Sequence, residues 1–221
     1  MLQKPEAMIF DLDGTLFQTE TIVLEAFRLT YAHLAEEDLY HGEVPADQDI
    51  LGCLGMLLEH IWERLMPGTP AEVRARADEL MMYYENQLLE RGDGKLYPAV
   101  VETLRALKAQ GIRLFVGSNG QEDYVRDVTR HMGIDSLFES LYSAGEYQTA
   151  TKVDLVHKLL TNHQIQSAWM VGDRSSDIEA GNKNSITAIG CDYAGFRKSG
   201  ELEGADAIIT SFEELLTLLP A

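Results

Sequence analysis

The chain has 221 residues, 45% hydrophobic and 24% charged, with a formal net charge of -18 at pH 7, enough for one large domain or a domain with an insertion around a sizeable core. The acidity and the lack of a basic patch weigh against phosphate backbones and anionic headgroups as partners. No apolar run approaches the roughly 20 residues that span a bilayer, and no basic-then-apolar leader opens the chain, so a cytoplasmic protein that binds neither nucleic acid nor membrane is expected.

The first element is the apolar run at residues 7–12, which reads as a buried strand leading straight into "DLDGTL". From about 17 to about 92 no strand pattern follows. That stretch instead carries three helical patterns, "TIVLEAFRLTYAHLAEE", "DILGCLGMLLEHIWERL" and "AEVRARADELMMYYENQLLE", separated by Gly- and Pro-bearing turns. It predicts a helical cap domain at 17–92, inserted into a core domain made of 1–16 and 93–221, with "RGDGKLYP" as the return hinge.

Beyond the hinge, strand-like runs at 112–117, 141–144, 168–172, 186–190 and 207–210 alternate with "PAVVETLRALKAQG", "QEDYVRDVTRHMG", "KVDLVHKLLTNH" and "SFEELLTLL". Such alternation predicts an α/β fold, a doubly wound parallel sheet with helices on both faces. Cys53 and Cys191 stand far apart in apolar contexts and outside any C-x-x-C pair, so both are expected to be buried free thiols.

The polar residues that stand out all follow predicted strands. Asp11 and Asp13 follow the first, Ser118 and Asn119 follow "RLFVG", and Asp173 and Asp177 lie in "VGDRSSD" after "AWMVG". Ligands of an open parallel sheet bind beyond these carboxyl ends. One D-x-D-G is an ordinary turn, but two acidic turns plus S-N-G at strand ends gather carboxylates whose repulsion is expensive without a bound cation. Oxygen ligands with open positions suit Mg²⁺.

"DLDGTL", the hydroxyl of "GSNG", the later Lys152 and "VGDRSSD" resemble the four ordered motifs of the haloacid dehalogenase (HAD) superfamily, in its phosphatase branch with a helical cap. The core would then be the Rossmann-like sheet of that superfamily. The resemblance implies a nucleophile at Asp11 that forms an aspartyl phosphate, and an acid and base at Asp13. It implies Mg²⁺ held by Asp11, the backbone carbonyl of Asp13 and Asp173, with Asp177 supporting through water or by orienting Lys152. Ser118, the Asn119 backbone amide and Lys152 would bind the phosphoryl oxygens.

The activity so implied is a Mg²⁺-dependent phosphatase acting on a small phosphorylated metabolite, similar to phosphoglycolate phosphatases. A sugar phosphomutase resembling β-phosphoglucomutase and an inorganic pyrophosphatase are the alternatives, with a phospho-acceptor receiver module outside the enzyme class. Val153 follows Lys152 where the family often has Pro, and Gln18 stands where an acidic residue is frequent. Thr151 reads as the N-cap of a helix that starts at Lys152, with Lys158 as the rival cation further along. His60, Trp62 and Arg64 are cap residues able to recognise substrate, although residues so placed on an amphipathic helix are more often core or surface. The oligomeric state stays open, and a monomer would suffice.

Overall fold

A computed structural model of the chain describes residues 2–196 and 199–220. Its centre is β1, Ala7–Phe10, four residues wholly removed from water. Ala7 and Ile9 join one apolar cluster while Met8 and Phe10 join another, because successive side chains of a strand point to opposite faces. A sheet covered on both sides needs both faces apolar, which is why the strand reads as a continuous run.

β1 pairs in parallel with β2, Arg113–Ser118, and with β4, Ala168–Gly172. Adding β3, Ser140–Ser143, β5, Thr187–Cys191, and β6, Ala207–Ile209, gives a six-stranded sheet in the order β3-β2-β1-β4-β5-β6, parallel at every pairing. The chain runs outward from β1 to β3 and then returns to the other side of β1. That reversal places a crevice at the carboxyl ends of β1, β2 and β4.

Helix α5, Val100–Ala109, brings Leu104 and Leu107 to the Met8/Phe10 side, and α8, Lys152–Asn162, brings Leu155, Val156 and Leu159 to the Ile9 side. α6, Glu122–His131, and α9, Ser175–Lys183, complete the layers that border the crevice. The expected doubly wound parallel sheet is therefore observed. β1 stops two residues before its predicted end. Asp11 still donates to Val171 O at 2.9 Å, but Leu12 O accepts from Leu16 and Phe17 N–H, each at 2.9 Å, and the chain turns there.

Between residues 17 and 92 the described chain forms α1, Val23–Glu36, α2, Asp47–Leu51, α3, Leu58–Leu65, and α4, Ala71–Glu90, and no strand. α1 packs along α4, and the Phe27 ring lies 5.3 Å from that of Trp62. The pattern "DILGCLGMLLEHIWERL" suggests one helix but gives two. Gly55, at φ +83°, takes a left-handed conformation that an α-helix does not admit.

The outgoing and returning connections run side by side. Gln18 N–H donates to Lys95 O at 2.8 Å and Tyr97 N–H to Leu16 O at 3.0 Å. Cys53 and Cys191 are buried and form no disulfide, and among the described residues no helix is long and apolar enough to cross a membrane.

Candidate active site

Asp11, the first residue past β1, is buried, and its Oδ1 accepts from Lys152 Nζ at 2.5 Å. Lys152 reaches it from the first turn of α8. Thr151 caps that helix as expected, its Oγ1 accepting from Asp154 N–H at 3.1 Å. The same ammonium lies 2.8 Å from Asp177 Oδ1, while Asp177 Oδ2 accepts from Arg174 N–H at 3.0 Å at the start of α9. Burial alone would lower the Lys152 pKa, but Asp11 and Asp177 outweigh it and raise it above the ordinary lysine value.

Oxygens of Asp11, Asp173 and Asp177 lie within 4.8 Å of one another, all three residues buried. Two cations face three carboxyls: the Lys152 ammonium bridges Asp11 and Asp177, and Arg174 Nε lies 3.5 Å from Asp173 Oδ2. Burial and then Asp11 push Asp173 well above the usual carboxylate range and Asp177 up to about 6. Asp11 Oδ2 and Asp173 Oδ2 are buried oxygens that make no hydrogen bond in the described structure. Unsatisfied buried oxygens beside surplus negative charge fit a hard cation. Gly14 gives Asp173 room, since a Cβ there would stand 2.5 Å from Asp173 Oδ2 and its φ is +77°.

The Asp13 side chain does not join this cluster. It turns to the other wall, where Oδ1 accepts from Thr19 Oγ1 and Tyr124 OH, each at 2.5 Å. Burial, then the Asp11 charge, raises its pKa to about 6 despite those two donors. The chain thus holds a carboxyl that can carry a proton near neutrality beside one bound to Lys152, a separation typical of paired acid and nucleophile roles.

Ser118, at the end of β2, is buried and lines the crevice, with Oγ accepting from Gly120 N–H at 3.0 Å. The Asn119 side chain turns toward the helical segment and donates to Gly55 O at 2.9 Å. Arg174 Nη2 donates to Leu51 O at 3.3 Å. Lys158 lies away from the cluster, its Nζ 4.9 Å from the centroid of the Tyr147 ring.

The family model described as "Haloacid dehalogenase-like hydrolase" matches residues 8–191. The chain belongs to this family. A curated relative of this HAD-like hydrolase, the pyrophosphatase PpaX of Listeria monocytogenes, is 28% identical over 195 residues, 85% of this chain and 84% of that one. A structure described as a predicted phosphoglycolate phosphatase from Haemophilus somnus aligns with TM-score 0.83 at 21% identity, over 99% of both chains. CbbY from Rhodobacter sphaeroides, solved in complex with phosphate, aligns with TM-score 0.80 at 24% identity, over 96% of both.

In this HAD-like hydrolase the crevice continues into a cavity of about 100 Å³ between sheet and helices, lined by Asp11, Asp13 and Ser118 on one side and by α4 on the other. The expected recognition residues do not line it. His60 and Arg64 are exposed, and Trp62 is buried against Phe27 with its Nε1 donating to Asp78. Asp78, Met81, Met82 and Glu85 do line it, at the three- and four-residue spacing of one helix face. "DELMMYYE" holds that signal in the sequence.

Burial, with a smaller push from Asp13, raises Glu85 to about 8. The folded chain thus keeps a proton that the unfolded chain releases above about 4.5. That contribution is complete below the unfolded value and is lost as pH rises through about 8. In metal-free buffer the thermal midpoint should fall between pH about 6 and about 8, above the titration of Asp13 and Asp78, and Glu85→Gln should make that fall shallower. An identical slope in melts of the two proteins would remove Glu85 from the account.

Proposed function

We propose that this hydrolase is a Mg²⁺-dependent phosphatase that cleaves small phosphate monoesters through a phosphoryl group carried on Asp11. The observation that carries this reading is the pairing of Asp11, held by Lys152, with Asp13, whose pKa of about 6 lets it serve as acid and then as base. A receiver module would not present D-x-D-G-T at its first strand, and a non-catalytic binding protein would have no need of Asp13 beside Asp11.

Asp11, Asp173 and the backbone carbonyl of Asp13 would hold Mg²⁺, which when bound supplies positive charge to the phosphate oxygens. Asp11 Oδ2, free of hydrogen bonds, is the oxygen available for attack on phosphorus, while Lys152 fixes Oδ1 and offsets charge. Asp13 gives its proton to the leaving oxygen and later takes one from the water that attacks the aspartyl phosphate. Ser118 and the neighbouring backbone N–H groups hold phosphoryl oxygens. Residues 17–92 act as a cap that keeps water from the first step.

Hydrolysis of 4-nitrophenyl phosphate with added Mg²⁺, abolished by chelator, tests the reading; a single stoichiometric phosphorylation without turnover would overturn it. Two variants separate the carboxylates. Asp13→Asn should lower turnover by about a hundredfold or more with Mg²⁺ affinity nearly intact, since its metal contact is the backbone. Asp173→Asn should weaken Mg²⁺ markedly. Equal magnesium titration curves for both variants and the parent would show that the roles are wrongly divided.

A further inference from the structure

The cavity beside Asp11 and Asp13 has an unusual chemical balance on its helical side. Val23, Phe27, Ile50, Leu54, Met81 and Met82 give it apolar walls, and two carboxyl groups, Asp78 and Glu85, are the charged-type residues that α4 adds. Among the described residues no Lys, Arg or His lines it. The two cations nearest the reacting groups are already engaged: Lys152 by Asp11 and Asp177, and Arg174 by Asp173 and Glu201 at 3.5 Å each and by Leu51 O.

A leaving group with a second phosphate or a carboxylate would therefore bring an anion into an apolar space with no cation to meet it, facing carboxyls. Burying an unpaired charge in this way is costly, and the Asp78 carboxylate, ionised near neutrality, adds like-charge repulsion that Glu85, which keeps its proton there, does not. An apolar leaving group that ends in a hydroxyl or ammonium meets the opposite situation. Its body is desolvated against the Met and Phe side chains, and its donor finds a carboxyl oxygen. One Asp78 oxygen is already held by Trp62 Nε1, which fixes the carboxyl at the cavity wall. With a pKa raised to about 6 by burial, Asp78 is still ionised, and so an acceptor, near neutrality.

We propose that the helical side of this cavity selects phosphate monoesters whose leaving group is apolar and ends in a hydrogen-bond donor, and rejects those whose leaving group carries a second anion. The inference rests on the phosphatase reading above and narrows it away from pyrophosphate and phosphoglycolate, despite the pyrophosphatase among the relatives.

The test measures kcat/KM of the full chain with Mg²⁺ on three matched esters: phenyl phosphate, 4-(hydroxymethyl)phenyl phosphate and 4-carboxyphenyl phosphate. The hydroxymethyl ester should exceed the carboxy ester by about tenfold or more and should also exceed phenyl phosphate. Pyrophosphate and phosphoglycolate should fall with the carboxy ester. Asp78→Asn removes the ionised carboxylate but keeps an acceptor for Trp62, and should narrow the gap between the hydroxymethyl and carboxy esters. Glu85→Lys places a cation in the cavity and should favour the carboxy ester. A carboxy ester, phosphoglycolate or pyrophosphate used as well as the hydroxymethyl ester by the parent protein would overturn the proposal, as would a hydroxymethyl ester no better than phenyl phosphate. A preference unchanged in a folded Asp78→Asn variant would overturn it as well. Failure to hydrolyse any of the esters would instead overturn the phosphatase reading, and this inference with it.

Discussion

Asp11→Asn should reduce phosphate release by about four orders of magnitude or more, the scale on which loss of a covalent nucleophile registers, while the protein stays folded. An amide fills nearly the same volume but is a poor nucleophile toward phosphorus. The surroundings also make a simple folding defect a poor explanation of the loss. Asp11 adds negative charge to a buried cluster in which Asp173 and Asp177 already face the Lys152 ammonium and the Arg174 guanidinium, and Lys152 keeps Asp177 as a partner when Asp11 is neutral. Without metal, the thermal midpoint of the variant should equal or exceed that of the parent, since a repulsive charge has gone. Acid-quench labelling should find no phosphoenzyme. A folded variant with most of its activity would remove Asp11 from the chemistry.

Lys152→Met should cost both turnover and stability. Its ammonium is 1% exposed and bridges Asp11 and Asp177, so removing it leaves buried carboxyls uncompensated, a change that typically costs about 3–5 kcal/mol. Loss of a fixed charge beside the phosphoryl oxygens should also lower single-turnover phosphorylation by about a hundred- to a thousandfold. Saturating Mg²⁺ should restore part of the stability but not the rate, because a cation held by Asp11 and Asp173 relieves their repulsion without occupying the Lys152 position. Lys158→Met is the control. That ammonium lies over the Tyr147 ring, outside the cluster, and its loss should leave the phosphorylation rate unchanged. A large effect at Lys158 with none at Lys152 would mean that the cation has been misassigned.

How much of the site was legible in the sequence depended on whether its residues are placed by local or by distant contacts. Asp11, Ser118 and Asp173 sit at strand ends, and a strand followed by a polar turn is a local pattern. Lys152 was read from the resemblance to the family's third motif, and the cap by Thr151 supports it by placing Lys152 in the first turn of α8. The Asp13 side chain turns away from the other acids only because Tyr124, from α6, and Thr19 donate to it, and no local pattern reports that. Asp78 and Glu85 were missed because acids spaced along a long polar helix read as a solvated face. They are drawn into a cavity by the packing of α4 against the core, a long-range contact. His60, Trp62 and Arg64 take the core and surface places usual on an amphipathic helix, Trp62 buried and the other two exposed.

The helix break at Gly55 supplies what the core holds on to. In an uninterrupted helix, Leu51 O would be committed to the N–H of residue 55 and Gly55 O to that of residue 59. With the ladder broken, Leu51 O keeps only a 3.3 Å turn bond from Leu54 N–H, and Leu51 O and Gly55 O are each met by the side chain next to a crevice residue: Arg174 after Asp173, and Asn119 after Ser118. Lifting the 51–55 segment away must break both contacts together, and each is covalently one residue from a crevice residue, Asp173 or Ser118. Ligand at the site and position of the helical segment are therefore mechanically linked through two adjacent peptide units. A substitution that let residues 49–65 run as one helix should uncouple them while leaving Asp11, Ser118 and Asp173 in place.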